Sequence, residues 1–246
     1  MTARVASPTR TSGYPAVLQE ASRFIKERLQ AVSLCKENAD GRINSIKDED
    51  TIIKCLGEKF QLRKPKERHW YDTAILDPTT NAWIPINIKV SEGGCDNALN
   101  KKAIVFSYSS LEEDDIPANL QFNRMVEMVE ANLKQCRNPS KEYYYMCIDK
   151  SDKDVLVRSI CDVQEFRSNP QNWLQIHWKK EKLIDIDDIP VETPKESFAR
   201  IKQVMGDSLY KLLATSFKLL SVDCKSDTMN ADVMALVDRI KSDVSV

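Results

Sequence analysis

The sequence predicts a mixed α/β protein in which helices flank a β-sheet. A run of aromatic and β-branched residues, His69 to Leu76, is followed by an alternating run, Trp83 to Val90, and the two resemble paired strands. Three further strand-like runs follow at Tyr143 to Ile148, Val155 to Val163 and Asn172 to Lys179. Between and around them, apolar residues recur at helical spacing. With 246 residues and 42% hydrophobic content, the chain can bury a substantial core.

The N-terminal region predicts an arm followed by two helices. Residues 1–14 are rich in Ser, Thr, Arg and Pro and are expected to form a flexible arm. From Pro15 to about Lys36 the apolar spacing predicts a helix. A second helix is predicted with Ser45 at its N-cap and acidic residues in its first turn. Glu49 lies in that turn, where it either complements the helix dipole or serves a functional site.

The two runs at the centre of the chain predict a β-hairpin. Asp77 to Asn81 supplies turn chemistry between them. If the turn centres near its threonines, residues whose numbers sum to roughly 160 face each other, and Asp72 lies about 5–8 Å from Asn87 and Lys89. The alternation places four apolar residues on the opposite side of the second strand. These are Ile84, Ile86, Ile88 and Val90.

Two interpretations of this polar face remain open from the pattern. A cross-strand Asp72–Lys89 pair is common on solvated sheet faces, where it stabilises by a few tenths of a kcal/mol. In the other interpretation, Trp70 and Trp83 flank the pair and the face is the wall of a cleft. Burying ionised groups in a cleft is costly, so their presence there would indicate a functional site.

The remainder of the chain predicts further helices and an extension of the sheet. After a Gly93-Gly94 loop, Asp96 or Asn97 is expected to cap a helix that continues to about Tyr108. The strand-like runs are expected to extend the sheet that the hairpin begins. Three more helical stretches are predicted at residues 118–133, 195–220 and 231–240.

Composition excludes several classes of protein. The formal net charge of −1 argues against a polycationic protein, so any nucleic acid would bind through a local basic cleft. The sequence has no run of about 18 apolar residues and no signal-peptide h-region, so no membrane span is expected. Seven scattered cysteines argue against a disulfide framework and favour a reducing cytoplasm. With only two histidines, zinc hydrolases, ββα nucleases and Ser-His-Asp triads are disfavoured.

The hairpin carries residue types suited to phosphodiester hydrolysis. Mg²⁺ prefers oxygen ligands and usually takes one or two protein carboxylates, which Asp72 and Glu49 could provide. Lys89, on the same face as Asn87, could orient a nucleophilic water and offset charge on the attacked phosphorus.

These residues resemble a known nuclease motif. Asp72, followed across the hairpin by Asn87-Ile88-Lys89, resembles the PD-(D/E)xK motif, whose fold is a central mixed sheet flanked by helices. A wider set is similar to motifs of bacterial type II restriction endonucleases, and covers roughly residues 41 to 110. The set consists of Gly41-Arg-Ile-Asn-Ser, Glu49, Arg68-His-Trp-Tyr-Asp, Pro85-Ile-Asn-Ile-Lys and Cys95-Asp-Asn-Ala.

The resemblance implies a role for each matching residue. Asp72 would be the central metal ligand, Lys89 the catalytic lysine, and Glu49 a second acid, with the Ile88 backbone carbonyl as a further ligand. Asn87 departs from the motif, which has Asp or Glu there. The amide adds no negative charge, so a one-metal mechanism becomes easier to defend. DNA contacts are expected from Arg42, Asn44, Ser45, Arg68, Asp96, Asn97 and Lys101.

On this resemblance, the expected protein is a Mg²⁺-dependent, sequence-specific double-stranded DNA endonuclease with a restriction-endonuclease-like fold. It would act as a homodimer in a bacterial or archaeal cytoplasm. Residues 15–246 would form one nuclease domain, with its catalytic core at about 41–180 and a C-terminal helical part at about 195–246. The alternatives are a DNA-repair or junction-resolving nuclease of the same fold, or a non-catalytic DNA-binding protein.

Overall fold

The computed structural model describes residues 13–32, 34–35, 41–65, 69–91, 96–98, 100–109, 111–135 and 143–221. It confirms the mixed α/β class. The helices are α1 (Ala16–Arg28), α2 (Gly41–Gly57), α3 (Lys101–Ser109), α4 (Phe122–Gln135), α5 (Trp178–Glu181) and α6 (Pro194–Ser221). The strands are β1 (Leu62–Arg63), β2 (Thr73–Asp77), β3 (Ala82–Ser91), β4 (Asp96–Ala98), β5 (Tyr144–Asp149), β6 (Asp154–Ser159), β7 (Phe166–Asn169) and β8 (Trp173–His177).

The larger sheet has five strands in the order β1-β2-β3-β5-β6. Strands β3 and β5 run parallel, and every other neighbouring pair is antiparallel, so the sheet is mixed. A parallel pair needs a long crossover connection, and the chain between β3 and β5 includes α3 and α4.

The β2–β3 hairpin forms as predicted. Thr73 pairs with Ile86 and Asp77 with Ala82, so facing residue numbers sum to 159. The Asp77 carboxylate accepts hydrogen bonds from the Thr79 N–H at 2.9 Å and the Thr80 hydroxyl at 2.8 Å, which closes the turn. Asn81 takes a positive φ of 55°, a conformation that asparagine tolerates well.

The two faces of the larger sheet border two hydrophobic cores. The predicted apolar face of β3 packs into a core with α1 and α2, to which Leu18, Ile25, Ile52 and Leu56 contribute. The other core contains Trp70, Phe106, Tyr143, Tyr145 and Trp178. The polar positions of β3, Asn87 and Lys89, are half-buried.

The first two helices differ from their predicted bounds. Helix α1 ends at Arg28, not near Lys36, although the apolar residues that follow it, Val32 and Leu34, still pack against the same core. Helix α2 begins at Gly41, so Ser45 is not its N-cap. Glu49 consequently lies in the third turn of α2 and does not complement the dipole of its first turn.

A second, smaller sheet is absent from the sequence-based prediction. Residues Asp96–Ala98 form strand β4, antiparallel to β8, which also pairs with β7. The helix predicted to start at Asp96 or Asn97 therefore starts later. Its cap is Asn100, whose Oδ1 accepts the Lys102 N–H at 2.9 Å. The third strand-like run likewise belongs to the small sheet and does not extend the large one.

Helix α6 is confirmed at Pro194–Ser221. It opens with a capping box, because Thr193 and Glu196 exchange hydrogen bonds through their side chains and backbone N–H groups. The helix predicted at 231–240 lies outside the described residues, as does most of the predicted arm. Tyr14, the last residue of that arm, packs edge-on against Tyr144 with ring centroids 5.3 Å apart. Among the described helices, none is long and apolar enough to cross a membrane.

Candidate active site

The candidate site lies beside the start of β2, where β3 continues past it. Strand β2 begins at Thr73, while β3 runs on to Ser91, so β2 does not extend along the last part of β3. Asp72 immediately precedes Thr73 and lies beside the part of β3 with which β2 does not pair. Its N–H donates to the Ile86 carbonyl at 3.0 Å, and its Oδ2 accepts the Ile88 N–H at 2.7 Å. A side-chain carboxylate thus takes the place that a main-chain acceptor would occupy in a longer strand.

Two further charged groups converge on Asp72. The Lys89 Nζ lies 3.0 Å from Glu49 Oε1 and 4.0 Å from Asp72 Oδ2. Glu49 belongs to α2, which packs across the apolar face of β3. The exposed fractions of the three side chains are only 21% for Lys89, 17% for Glu49 and 28% for Asp72. This geometry fits a cleft wall better than the solvated surface pair that the pattern left open.

The surroundings shift the pKa values of both Asp72 and Lys89. Burial raises the pKa of the Asp72 carboxyl, and the Lys89 charge and the Ile88 N–H only partly oppose that shift. For Lys89, burial acts to lower the pKa, but attraction to Asp72 and Glu49 outweighs it and leaves the pKa raised. Lys89 therefore remains an ammonium ion at neutral pH and is suited to stabilise charge, not to act as a base.

Asn87 presents a polar atom that needs a partner. Its Oδ1 is buried and accepts no hydrogen bond from any of the described residues. Leaving a buried carbonyl oxygen without a partner costs about 1–3 kcal/mol. A cation at this position would remove that cost.

The available donors fit a hard cation. A strand residue directs its N–H and its C=O to the same edge, so the Ile88 carbonyl faces the edge where Asp72 lies. Asp72, Glu49, Asn87 and Ile88 together offer only oxygen ligands, which Mg²⁺ prefers. Within the described part of the chain, no three His, Cys, Asp or Glu side chains group as a metal site. A cation bound here would consequently need the Asn87 amide oxygen and the Ile88 main-chain carbonyl as ligands in addition to the carboxylates.

Strand β5 also borders this site, which the sequence does not indicate. Asn87 pairs with Tyr145 and Lys89 with Cys147, so these residues lie side by side on one face of the sheet. Tyr145 and Tyr143 lie two and four positions before Cys147, and both are buried. The run Tyr143 to Ile148 is recognisable as a strand from the sequence, but no local signal shows that β5 pairs with β3.

The segment that precedes Asp72 is held by Glu113. The Glu113 carboxylate lies 2.5 Å from His69 Nε2 and 3.0 Å from an Arg63 guanidinium nitrogen. It also accepts a hydrogen bond from the Tyr71 hydroxyl at 3.2 Å. These contacts fix the chain just before the site, and they pair the Arg63 charge within the protein.

A buried ion pair supports the helix that carries Glu49. Asp48, with a side chain only 1% exposed, pairs with Lys150 and accepts the Cys35 N–H at 2.7 Å. Lys150 follows β5, and its N–H donates to the Ser91 carbonyl at the end of β3 at 2.9 Å. The network joins α2 to the ends of the two central strands.

Asp48→Asn is expected to lower the free energy of unfolding by about 1–3 kcal/mol, because Lys150 would keep a buried charge without its counterion. Urea unfolding measures the change. Asp154→Asn is the matched control, since the side chains of Asp154 and its partner Lys26 are both more than half exposed, at 57% and 60%. Equal losses in the two variants would contradict a supporting role for Asp48.

The residues predicted to contact DNA differ in how far the structure describes them. Asn44 is only 5% exposed, so little of its side chain is accessible from outside, and its role as a DNA contact stays a prediction. Lys101 is half-buried at the start of α3, beside a cleft lined also by Phe122 and Trp173. The other side chains lie outside the described part of the structure. They are Arg42, Ser45, Arg68, Asp96 and Asn97.

Comparison with models of protein families and with curated proteins finds no match to this sequence. A function for the chain is therefore inferred from its own residues.

The arrangement has a definite chemical capacity. The Lys89 ammonium ion lies between the carboxylates of Asp72 and Glu49, and Asn87, two residues before it on the same strand, has a buried amide oxygen. Such a cluster can bind a hard cation and, through Lys89, an anionic oxygen of a substrate. A phosphate ester presents both kinds of oxygen.

Proposed function

We propose that this protein is a Mg²⁺-dependent endonuclease that hydrolyses phosphodiester bonds of double-stranded DNA. The observation that carries the proposal is the meeting of Asp72, Lys89 and Glu49 beside the start of β2. The strand that holds Lys89 also carries Asn87, whose buried Oδ1 accepts no hydrogen bond from the described residues. Asp72, Asn87, the Ile88 carbonyl and Glu49 would hold the metal.

The roles of the protein groups follow from their charge and position. Lys89, held as an ammonium ion, binds an oxygen of the scissile phosphate and stabilises the negative charge that develops there. Mg²⁺, when bound, supplies Lewis-acid stabilisation of the same charge. Glu49 holds the lysine in place through its 3.0 Å contact. Asp72 is anchored by the Ile88 N–H, which leaves its second oxygen to face the cation.

The neutral Asn87 favours one metal ion over two. Two divalent cations need more negative charge than Asp72 and Glu49 provide, particularly since Glu49 is also paired with Lys89. The site is therefore proposed to act through a single Mg²⁺.

The fold supports a restriction-endonuclease-like assignment. An acid at the start of one strand and a lysine on its antiparallel neighbour, within a mixed sheet flanked by helices, is the arrangement that the PD-(D/E)xK resemblance implies. A type II restriction enzyme would bind a palindromic site as a homodimer, because each half-site then meets the same surface.

Digestion of long, unmethylated duplex DNA tests this proposal. Discrete fragments are expected in Mg²⁺, with no cleavage in chelator and recovery when Mg²⁺ is restored. Binding is expected to weaken steeply with salt, because phosphate contacts release counterions.

The control is Asp72→Asn, purified identically, which retains the shape of the side chain but loses its charge. Cleavage by this variant at the wild-type rate would reveal a contaminating nuclease and contradict the site. Cutting confined to branched or damaged DNA would instead favour a repair or junction-resolving enzyme. Absence of cleavage on both kinds of substrate would overturn the nuclease proposal.

A further inference from the structure

A cleft lies at the start of α3, and none of the residues that line it belongs to the candidate active site. Its volume is about 230 Å³. Two of its lining side chains are the half-buried rings of Phe122 and Trp173. The polar lining residues are Asn100, Lys101 and Asn172. The most buried lining residues are apolar, at no more than 2% exposure, and are Ile104, Leu174 and Met205.

The backbone of Trp173 is held in a strained conformation that places its ring in this cleft. Its φ is 65°, a value that bulky residues rarely adopt. The Leu174 N–H donates to the Asn172 carbonyl at 2.7 Å, as in the rare, strained form of the γ-turn. The buried Ser208 hydroxyl donates to the Trp173 carbonyl and accepts the Asn169 N–H at 2.9 Å, which anchors the turn. Such strain is found mostly at functional sites, where the position of a side chain is needed.

The ring of Trp173 lies parallel to that of Phe122. The ring centroids are 4.8 Å apart and the planes are inclined by only 15°. Both rings remain partly accessible. The cleft therefore presents flat aromatic surface above an apolar floor, an environment that suits a planar, aromatic ligand group.

The charge at the rim of the cleft is positive. Lys101 also lines an adjoining and more open cavity of about 390 Å³, together with Lys102. Neither lysine forms an ion pair with another of the described residues, and no acidic side chain is among those that line the two cavities. An anionic group of a ligand would therefore be attracted to this rim.

A nucleotide combines the features that the two cavities favour. At about 230 Å³ the cleft is smaller than the pockets of about 300–1,000 Å³ that take drug-sized ligands, so it suits a single ring system such as a base. Bases stack on aromatic side chains, and asparagine side chains can form hydrogen bonds with base edges. The open cavity beside Lys101 is suited to the phosphate.

We propose that this cleft binds a nucleotide with an unpaired base, which stacks on Trp173 while its phosphate contacts Lys101. A base within a duplex cannot enter, because its faces are covered by its neighbours. The inference goes beyond the proposed function, since binding here requires neither Mg²⁺ nor the Asp72 carboxylate.

Helix α3 connects the cleft to the candidate active site. Lys101 begins the helix, and Phe106 packs against Trp70 with ring centroids 5.0 Å apart. Trp70 is two residues before Asp72. The nucleotide can therefore come from two sources, a strand that also reaches the candidate active site or a free nucleotide.

Binding of a short, fluorescein-labelled oligothymidylate tests the proposal. Fluorescence anisotropy is measured with the full chain in a chelator, which prevents Mg²⁺-dependent cleavage. Trp173→Leu should weaken binding by about 5–150-fold, the usual effect of removing one aromatic ring on which a base stacks. Trp173→Phe should recover most of the lost affinity, because it keeps an aromatic face. Equal losses in the two variants, with both folded by circular dichroism, would overturn the inference, as would a wild type that does not bind the strand.

Phe24→Leu is the matched control for Trp173→Leu. Phe24 is also a half-buried ring beside a second ring, that of Phe60, with centroids 5.8 Å apart, and beside a lysine, Lys59, whose Nζ lies 5.4 Å from its centroid. It packs against the core on the side of α1 and α2 and lines no part of the cleft. The control should bind the strand as the wild type does. A loss equal to that of Trp173→Leu would show a general effect of destabilisation and overturn the inference.

The salt dependence of binding tests the phosphate contact. Lys101→Gln should reduce the slope of log affinity against log salt concentration by about 0.7, the contribution of one phosphate contact on a single strand. Lys59→Gln is the control, since Lys59 is exposed and pairs with Glu20 at 2.7 Å. Equal slopes in Lys101→Gln and the wild type would overturn the assignment of the phosphate to Lys101.

Two competitors identify the source of the nucleotide. Displacement of the labelled strand by thymidine 5′-monophosphate would support the cleft as a site for free nucleotides, whereas displacement by strands alone would support a nucleotide within a strand. A duplex of the same length should bind the wild type and Trp173→Leu equally, because its bases are paired. Equal weakening of duplex and single strand would show that Trp173 does not act on an unpaired base, and would overturn the inference.

The same measurements separate this inference from the proposed function. Asp72→Asn should bind the labelled strand in chelator at least as well as the wild type, because it loses only a negative charge. A protein that binds the strand through Trp173 but cleaves no DNA would support this inference and overturn the nuclease proposal. A protein that cleaves duplex DNA, but whose Trp173→Leu variant binds the single strand with wild-type affinity, would do the reverse.

Discussion

Lys89→Met is expected to lower the rate of DNA cleavage by about 10²–10³-fold, the usual cost of removing one group that stabilises transition-state charge. The methionine retains much of the buried stem of the lysine, so the change is chiefly one of charge. Single-turnover cleavage at saturating Mg²⁺ measures the rate. Mg²⁺ affinity should not fall, because Asp72 and Glu49 keep their carboxylates and lose a competing cation.

Lys182→Met provides the matched control for Lys89. Lys182 also bridges two carboxylates, at 2.8 Å from Asp149 and 3.0 Å from Asp152. The control should cleave DNA at the wild-type rate. If both variants lost activity equally, or if Lys89→Met retained it, the charge-stabilising role of Lys89 would be wrong. Asp72→Asn should differ from Lys89→Met, because it should lose Mg²⁺ affinity as well as activity.

Arg158→Met is expected to lower the free energy of unfolding by about 3–5 kcal/mol, because it leaves Glu181 as a buried charge without its partner. The side chains of Arg158 and Glu181 are 1% and 0% exposed, and Arg158 Nε lies 3.0 Å from Glu181 Oε1. Glu181 further accepts the N–H groups of Gln164 and Glu165 at 2.9 Å and 2.8 Å. Urea unfolding followed by circular dichroism measures the loss.

Arg124→Met is the control for this pair, since Arg124 and Glu127 are both more than half exposed. Its effect should stay within about 1 kcal/mol. The double variant Arg158→Met, Glu181→Leu should recover part of the stability, because no uncompensated charge remains. Recovery would be incomplete, since the N–H groups of residues 164 and 165 would lose their acceptor. A single-variant loss as small as that of the control would contradict the importance of the buried pair.

The hairpin could be predicted from the sequence because its determinants are local. Alternating apolar residues fix which face of β3 is buried, and Asp77 and Asn81 fix the turn and hence the register. The register of the hairpin is consequently sufficient to predict that Asp72 lies near Asn87 and Lys89. The residue type of Glu49 and the family resemblance both suggested it as a second acid of the site. Its approach to Lys89 could not be predicted, since it depends on how α2 packs over the sheet.

The parts that were mispredicted depend on non-local pairing or on ambiguous caps. Strand β4 has three residues, too few for an alternation to show, and it exists because β8 pairs with it. Asp96, Asn97 and Asn100 are equally good caps by type, and only the competing strand decides for Asn100. The position of Tyr145 and Cys147 beside Asn87 and Lys89 could not be predicted without the parallel pairing of β3 and β5.

That parallel pairing also bears on the order in which the site forms during folding. The β2–β3 hairpin closes through a short turn, whereas the register that joins Ile86 to Tyr144 must bring together segments separated by α3 and α4. Contacts between distant segments form more slowly than local ones, because more chain entropy is lost before the contacts can stabilise the fold. Asp72, Asn87 and Lys89 can therefore meet early, while Tyr145 and Cys147 come to lie beside Asn87 and Lys89 only when the crossover docks.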